Sequence, residues 1–446
     1  MEALLDLHAR LNALVWGPPM MALLVGAGLV LTFATRGVQF RHLGTAFRVV
    51  TTRQAGGEGT VTPFQALATA LASTVGVGNI AGVATAIHLG GPGALFWLLV
   101  SGVVGMATKF AEIAVALEYR ERDERGIMRG GAMYVLRKAL GMPWLGAIFA
   151  GLVSLAAFGI GNMVQANSVA DAASTSFGIP PQITGVVLAA LTAVVVLGGV
   201  HSIVRVTQVL VPVMCAIYLL GALVIVLRFA GEIPGAIGLV FESAFSGQAA
   251  AGGFAGATVG AAVRFGIARG LFSNEAGLGS APMVHASAVT DHPVRRACFG
   301  IVEVFVDTLV VCLLTGLVIL TTGVWTSGET GAALSAQAFR VGLPGVWGGL
   351  VVSSGLILFA FSTVVGWAYY GETAVTYLFG AAAGLPYRII WVGFVYLGAI
   401  GSLHLVWSVS DTLNGLMAVP NLIAVLACLP TLRRLMRQFF PRVEKS

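Results

Sequence analysis

The sequence predicts an all-α integral membrane protein of about eleven spans, and three observations carry that prediction. Of 446 residues, 57% are hydrophobic and only 10% charged, with a mean hydropathy of +0.91, whereas a soluble globular protein carries about 25% charged residues. The apolar runs are continuous over ~20 residues, the length of a membrane-crossing helix, while barrel strands are ~10 residues long and alternate. Arginine-rich loops recur at every second connection, the pattern of a chain that repeatedly crosses a bilayer. The 59 glycines suit helices packing closely in lipid.

Composition also excludes several functions. The net charge is +6 and the pI about 9.4, but the basic residues are spread over short loops rather than on one soluble face, so nucleic acid is not the expected partner. Cys215, Cys298, Cys312 and Cys428 lie within apolar runs without paired spacing and read as small core hydrophobes. Glu2 and Asp6 at the start do not make the basic n-region of a cleaved signal peptide. No zincin, nucleophile-elbow or phosphate-loop pattern occurs, so an enzyme is not expected.

Along the chain, a first span covers 14–34 and leads to a loop with Arg36, Arg41, Arg48 and Arg53. A glycine-interrupted apolar stretch occupies 61–89, and Gly90-Gly-Pro-Gly93 turns into a span over 94–117. The most basic loop follows, with Arg120, Arg122, Arg125, Arg129, Arg137 and Lys138, its second part (130–140) reading as a short surface helix. Further spans are expected at 147–173, 183–200 and 206–229, then a second interrupted stretch at 253–288. The remaining spans fall at 297–320, 345–379, 389–409 and 413–432, before a basic tail with Arg433, Arg434, Arg437, Arg442 and Lys445. Placing the arginine-rich loops, the His201/Arg205 turn and the tail in the cytoplasm puts the N-terminus outside and the C-terminus inside. The two interruptions lie five spans apart, and an odd number inverts the second half relative to the first. The expected organisation is thus an extra helix (14–34), one repeat over 61–229 and an inverted one over 253–432.

The interruptions carry the functional reading. Gly76, Gly78 and Asn79 make a poor helix centre, and Ser273, Asn274 and Glu275 with the glycines after them make another. Backbone can come loose at mid-membrane only where protein or a water-filled cavity receives it. A broken helix presents carbonyls at one half-helix end, suited to Na⁺, and N–H groups at the other, suited to a carboxylate. The carbonyls are expected from 72–75 and the donors from 76–79, which together fit an amino acid and its cation. A kink that only packs helices is the alternative.

Other polar residues leave alternatives open at this point. Ser362 and Thr363 either complete a cation site or bond the carbonyl four residues back. Trp367 walls a cavity or packs. Asn162 and Gln165 share a helical face, and with Asn167 they either reach a substrate amine or join helices. Glu275 either pairs with Arg264 or Arg269 or lines the path. Lys109 and Glu112 (i, i+3) read as an ion pair, Glu303 and Asp307 (i, i+4) as two acids on one face with a link to ion coupling. His88 and His285 read as packing or pore-edge residues.

Several motifs resemble the alanine or glycine:cation symporter family: Thr74-Val-Gly-Val-Gly-Asn-Ile-Ala-Gly-Val-Ala-Thr-Ala-Ile87, Gly90-Gly-Pro-Gly-Ala94, Gly105-Met-Ala-Thr-Lys-Phe-Ala-Glu112 and Phe272-Ser-Asn-Glu-Ala-Gly-Leu-Gly-Ser-Ala-Pro282. Asp307-Thr-Leu-Val-Val-Cys312 and Phe361-Ser-Thr-Val-Val-Gly-Trp-Ala-Tyr-Tyr-Gly-Glu372 extend the likeness over nearly the whole chain. The resemblance implies the LeuT-type fold, a 5+5 inverted repeat, and symport of small neutral amino acids with Na⁺ or H⁺ through a cytoplasmic membrane. Carried over, the Thr74 carbonyl and Asn79 side chain serve one Na⁺ beside the substrate carboxylate. Ala72 and Val75 carbonyls with the Ser362 and Thr363 hydroxyls serve a second. Thr74, Gly76, Gly78 and Asn79 would contact the substrate, Phe272 cover it, Ser273 lie near its amine, and Gln165 and Trp367 complete the pocket. Ala132, where the pattern has Pro, and His88, in place of a small residue, depart from the family. Membrane lipid is the remaining expected partner, and a passive channel the reading from another functional class.

Overall fold

The computed structural model describes residues 12, 15–52, 56–246, 258–401 and 404–443. Its helices are α1 (Pro18–Ala34), α2 (Leu43–Thr51), α3 (Pro63–Thr74), α4 (Val83–Gly90), α5 (Gly93–Glu118), α6 (Ala132–Lys138), α7 (Pro143–Ala156), α8 (Val164–Phe177), α9 (Pro181–Val196) and α10 (Gly199–Arg228). They continue with α11 (Ile233–Ser246), α12 (Val259–Asn274), α13 (Pro282–Ala286), α14 (Pro293–Val304), α15 (Leu313–Thr321), α16 (Gly331–Gly342), α17 (Trp347–Phe379), α18 (Gly384–Ile400), α19 (His404–Ala427) and α20 (Leu429–Val443). A hairpin of β1 (Glu121–Arg122) and β2 (Met128–Arg129) joins α5 to α6. Proline stands at the start of α1, α3, α7, α9, α13 and α14, where its missing N–H costs nothing.

Seven helices, two of them carrying an internal π-helical stretch, are long and apolar enough to cross a membrane among the described residues. The bent pair Pro63–Thr74 and Gly78–Gly90 makes an eighth. The chain is therefore a multi-pass helical membrane protein. The shorter apolar helices α1 and α9, and the interrupted α12–α13 segment, lie where the sequence places the other spans. The interrupted α3–α4 and α12–α13 segments run along α5 and α17 in the middle of the bundle.

The loops assigned to one side by their arginines do meet at one end. Arg120 donates to the carbonyls of Ala286 (3.0 Å), Ala288 (2.9 Å) and Glu58 (2.7 Å). Buried Arg296 donates to the Pro63 carbonyl at 2.7 Å and stacks over Phe299. These two guanidiniums thus hold the ends of both interrupted segments by backbone oxygens. Glu372 receives Arg388 through both carboxylate oxygens, at 2.7 and 2.8 Å, and Arg129 at 3.2 Å. Arg388 also reaches the Leu197 carbonyl in the turn before α10.

Several expectations are corrected. The segment expected as a surface helix is shorter, α6, with Ala132 to Leu136 buried. The His201/Arg205 turn lies inside α10, the turn proper falling at 197–198. The last two spans start and end several residues earlier than expected. The basic tail is the amphipathic helix α20: Leu432, Leu435, Met436, Phe439 and Phe440 recur at i, i+3, i+4, i+7 and i+8. Its apolar side packs on α5 and α14. Residues 253–257 of the second interrupted stretch, Arg53 and Lys445 lie outside the described residues.

Candidate substrate and ion site

The first interruption begins with a strongly started helix. Thr62 and Gln65 form a reciprocal capping box, with the Gln65 N–H on Thr62 Oγ1 (3.2 Å) and the Thr62 N–H on Gln65 Oε1 (3.1 Å). The helix ends at Thr74, Val75 turns extended (φ −77°, ψ 93°), and the axis bends by 49°. Asn79 closes the turn by accepting from the Gly76 N–H at 2.8 Å. One of the donors expected for a carboxylate is therefore taken by this chain itself. Those of Val77 and Gly78, in the first turn of the next half-helix, have no partner within it.

A cation-sized cluster of oxygens sits at the other half-helix end. Ser362 Oγ lies 2.8 Å from the Phe359 carbonyl and 3.1 Å from that of Ala72; Thr363 Oγ1 lies 3.0 Å from Phe359 O and 3.2 Å from Ala72 O. A hydroxyl has a single proton, so when it serves the helix's own carbonyl the second contact is oxygen on oxygen. Both alternatives for this pair are thus present together: each hydroxyl bonds within α17 and each faces α3. Gly76 is needed for this approach, because a Cβ there would stand 2.7 Å from Thr363 Oγ1. Gly76→Val is expected to weaken cation binding at this cluster by about tenfold or more, for the displaced hydroxyl is one of few groups there. An unchanged cation dependence in that variant would show that the approach is not required.

The second interruption starts at Glu275, whose φ of 55° is left-handed and stops α12. Side chains from other helices receive the loosened peptide, as a low-dielectric interior requires. Glu112 accepts the Gly277 N–H at 3.0 Å, and Asn421 donates to the Gly277 carbonyl (2.8 Å) and to Glu112. Glu275 accepts from Trp367 Nε1 (3.0 Å) and from Ser280; of its two alternatives, the pairing with Arg264 or Arg269 is not formed, and the residue lines the cavity described below. Lys109 and Glu112 share a helix but do not pair. Lys109 reaches Glu303 instead at 3.4 Å, and His285 Nε2 lies 2.8 Å from the same carboxylate.

Asp307 ties the two interruptions together. Its carboxylate accepts from Asn79 Nδ2 (2.6 Å), from Ser273 Oγ (3.0 and 3.2 Å) and from Thr308 (2.9 Å). It is wholly buried, in a π-helical stretch (Phe305–Cys312) between α14 and α15. Glu303 and Asp307 take different partners: the first serves Lys109 and His285, the second the site.

Between the interruptions lies a small, tightly packed cavity, whose unfilled space reaches about 330 Å³ only when the part open to solvent is counted. Of the residues singled out from the sequence, Thr74, Gly76, Gly78, Gln165, Phe272, Ser273, Thr363 and Trp367 line it. Asn79 is packed behind it, and Ala72, Val75 and Ser362 stand back from its surface. Glu275, Ser73, Val77, Ile160 and Asn414 also line it. Asn414, which closes the polar stretch Ser410-Asp-Thr-Leu-Asn414, was passed over by sequence reasoning; so was the lining role of Ser73. Gln165 Oε1 and Asn414 Oδ1 are buried without a hydrogen-bond partner. Asn162 and Asn167 turn away and join helices, donating to the carbonyls of Trp391 (2.8 Å) and Gly401 (3.1 Å). The π-helical stretch Ala157–Met163 explains the separation, because it rotates Asn162 off the face that Gln165 occupies. Trp367 is held hard against α8's approach: a Cβ on Gly161 would stand 2.3 Å from its own Cβ.

Comparison with known proteins decides what kind of machine this is. The model of the sodium:alanine symporter family matches residues 1–446. The chain belongs to the sodium:alanine symporter family. It is a symporter and not an enzyme. Its relatives include the sodium/alanine symporter AgcS of Methanococcus maripaludis, 49% identical over 93% of this chain and 92% of that one. The amino-acid carrier protein AlsT of Bacillus subtilis is 38% identical over 90% and 85%, and the probable sodium/glutamine symporter GlnT of Bacillus subtilis 36% over 93% and 86%. Among solved structures, a manganese transporter of Eremococcus coleocola superposes with a TM-score of 0.53 over 85% of this symporter and 80% of that protein. At 15% identity the likeness concerns the fold.

Proposed function

We propose that this symporter carries alanine, and glycine as a smaller cargo, into the cell together with Na⁺ by alternating access. In this reading the fold is a LeuT-type 5+5 inverted repeat, with repeats over 61–229 and 253–432 and the extra helix at 14–34. The chain sits in a cytoplasmic membrane with its N-terminus outside and its C-terminus in the cytoplasm, so that the arginine-rich end faces inward. The observation that carries the proposal is the cavity placed between two unwound segments, with acceptor oxygens without partners on one wall and a half-helix N-terminus on the other. Gln165 Oε1 and Asn414 Oδ1 would accept from the substrate ammonium, and the N–H groups of Val77 and Gly78 would hold its carboxylate. Thr74, Gly76, Phe272 and Trp367 bound a space for a small side chain.

Two Na⁺ sites follow from the oxygens at hand. One uses the carbonyls of Ala72 and Val75 with Ser362 and Thr363. The other uses the Thr74 carbonyl, Asn79, Ser273 and the Asp307 carboxylate, beside the substrate carboxylate. Each ion would add a further bridge between elements already in contact, α3 to α17 and the first interruption to the second, so ion and substrate binding favour the same closed arrangement.

Proteoliposomes with an imposed Na⁺ gradient test the function: uphill alanine uptake is expected. Alanine flux that ignores the gradient would mean a channel, and uptake driven equally by a pH gradient would make H⁺ the coupling ion. Thr363→Ala is expected to raise the Na⁺ concentration for half-maximal uptake about tenfold, the effect of losing a charge-assisted contact, with the preference for alanine over larger amino acids retained. An unaltered Na⁺ requirement would remove Thr363 from the ion site.

A further inference from the structure

At the end of the bundle where the arginine-rich loops meet, an open groove, about 1120 Å³ with its share of open solvent counted, runs between the turn after α1 and helix α20. We propose that it is a binding site for the phosphate headgroup of an anionic phospholipid in the adjoining leaflet. Arg36 and Arg41 line it from the turn, Arg433 and Arg437 from α20, with Met436 and Phe440 between them. On a helix, 433, 436, 437 and 440 fall at i, i+3, i+4 and i+7 and share one face. The face is fixed in place: Leu432, Leu435 and Phe439 are buried beneath it, and the His42 ring stacks on Phe440 at 3.8 Å and 15°. The groove therefore has rigid walls, contributed by two segments nearly four hundred residues apart in sequence.

Charge chooses the occupant. None of the four arginines has an acidic partner within 4.0 Å among the described residues, while Arg434, on the next face of α20, reaches Glu118 at 2.7 Å. Four guanidiniums converging on one groove repel one another unless an anion neutralises them, and guanidinium matches phosphate bidentately. Place chooses the source of that anion. In the span arrangement proposed above, on which this inference rests, the groove opens where α1 leaves the bilayer, and Phe33 (78% exposed) lies at its edge on that helix. A free phosphate would use only the arginines; a lipid uses the phosphate site and lays its acyl chains along the apolar flank of α1. Basic pockets at the ends of membrane helices are suited to such headgroups.

The test compares the full chain with the variant carrying Arg36→Gln, Arg41→Gln, Arg433→Gln and Arg437→Gln, with Arg434→Gln as a control from the same stretch of sequence. Protein in phosphatidylcholine nanodiscs is titrated with phosphatidylglycerol, and bound lipid is measured by native mass spectrometry at low and high salt. Phosphatidylglycerol is expected to be retained over phosphatidylcholine, more weakly as salt rises, with affinity lost by about fivefold per arginine removed. Should the fourfold variant fail to fold, the pair Arg36→Gln and Arg41→Gln alone is expected to lose about 25-fold, by the same increment. Equal retention by wild type and variant, or no preference over phosphatidylcholine in the wild type, overturns the site. Displacement of the lipid by inorganic phosphate at equal concentration would show a free-anion site instead and overturns the lipid assignment.

Discussion

Asp307→Asn leaves a folded protein whose alanine uptake responds to Na⁺ only at concentrations roughly ten- to hundredfold higher, the range expected when one charged contact is reduced to a neutral one. The side chain keeps its shape, so Asn79 and Ser273 still find an acceptor at Oδ1, whereas the negative charge that a Na⁺ would meet is gone. Three donors already serve the carboxylate, which makes it a well-solvated charge in a wholly buried position, not a bare one. Equilibrium binding of alanine with and without Na⁺ checks the claim directly. If the Na⁺ dependence of binding matches the wild type, Asp307 only fastens the two interruptions to each other.

Lys109→Met is expected to destabilise the fold more than any of the other substitutions. Lys109 and Glu303 are 0% and 1% exposed and 3.4 Å apart, so removing the ammonium leaves a carboxylate in the interior with His285 as its remaining ionisable partner. Breaking a buried pair in this way costs about 3–5 kcal/mol. The half-life of monodisperse protein at a fixed elevated temperature in detergent reads the loss. The combination Lys109→Met with Glu303→Gln is expected to recover most of it, since the orphaned charge is then gone too. A single variant as durable as wild type, or a double variant no better than the single one, would show that the pair bears little on stability.

Both interruptions were legible in the sequence because glycine, asparagine and a polar cluster contradict an otherwise continuous apolar run, and membranes tolerate that contradiction in few places. The residues around them were legible for the same reason. The fine structure was not. Spacing brought Lys109 toward Glu112, one turn away, while the fold offered each a better partner on another helix. The amides at 162, 165 and 167 looked alike, yet Asn162, in a π-helical stretch, and Asn167 both turn to backbone carbonyls of another helix and leave only Gln165 at the cavity. The helix boundaries near the C-terminus slipped because the polar run Ser408-Val-Ser-Asp-Thr412 reads as a connection between two spans, whereas it lies inside α19. The arginines of the tail drew attention from the leucines and phenylalanines set between them, whose helical period was there to be read.

The grip of Arg120 and Arg296 on the ends of both interrupted segments has a genetic consequence. Its acceptors are main-chain oxygens of Glu58, Pro63, Ala286 and Ala288, which every amino acid possesses. Replacing those four residues leaves the oxygens where they are, so a screen for carriers locked open toward the arginine-rich side should return changes at the two arginines and hardly ever at the positions they grasp. Water offers a guanidinium the same kind of oxygen, so any of these bonds surrendered to solvent would find a replacement there.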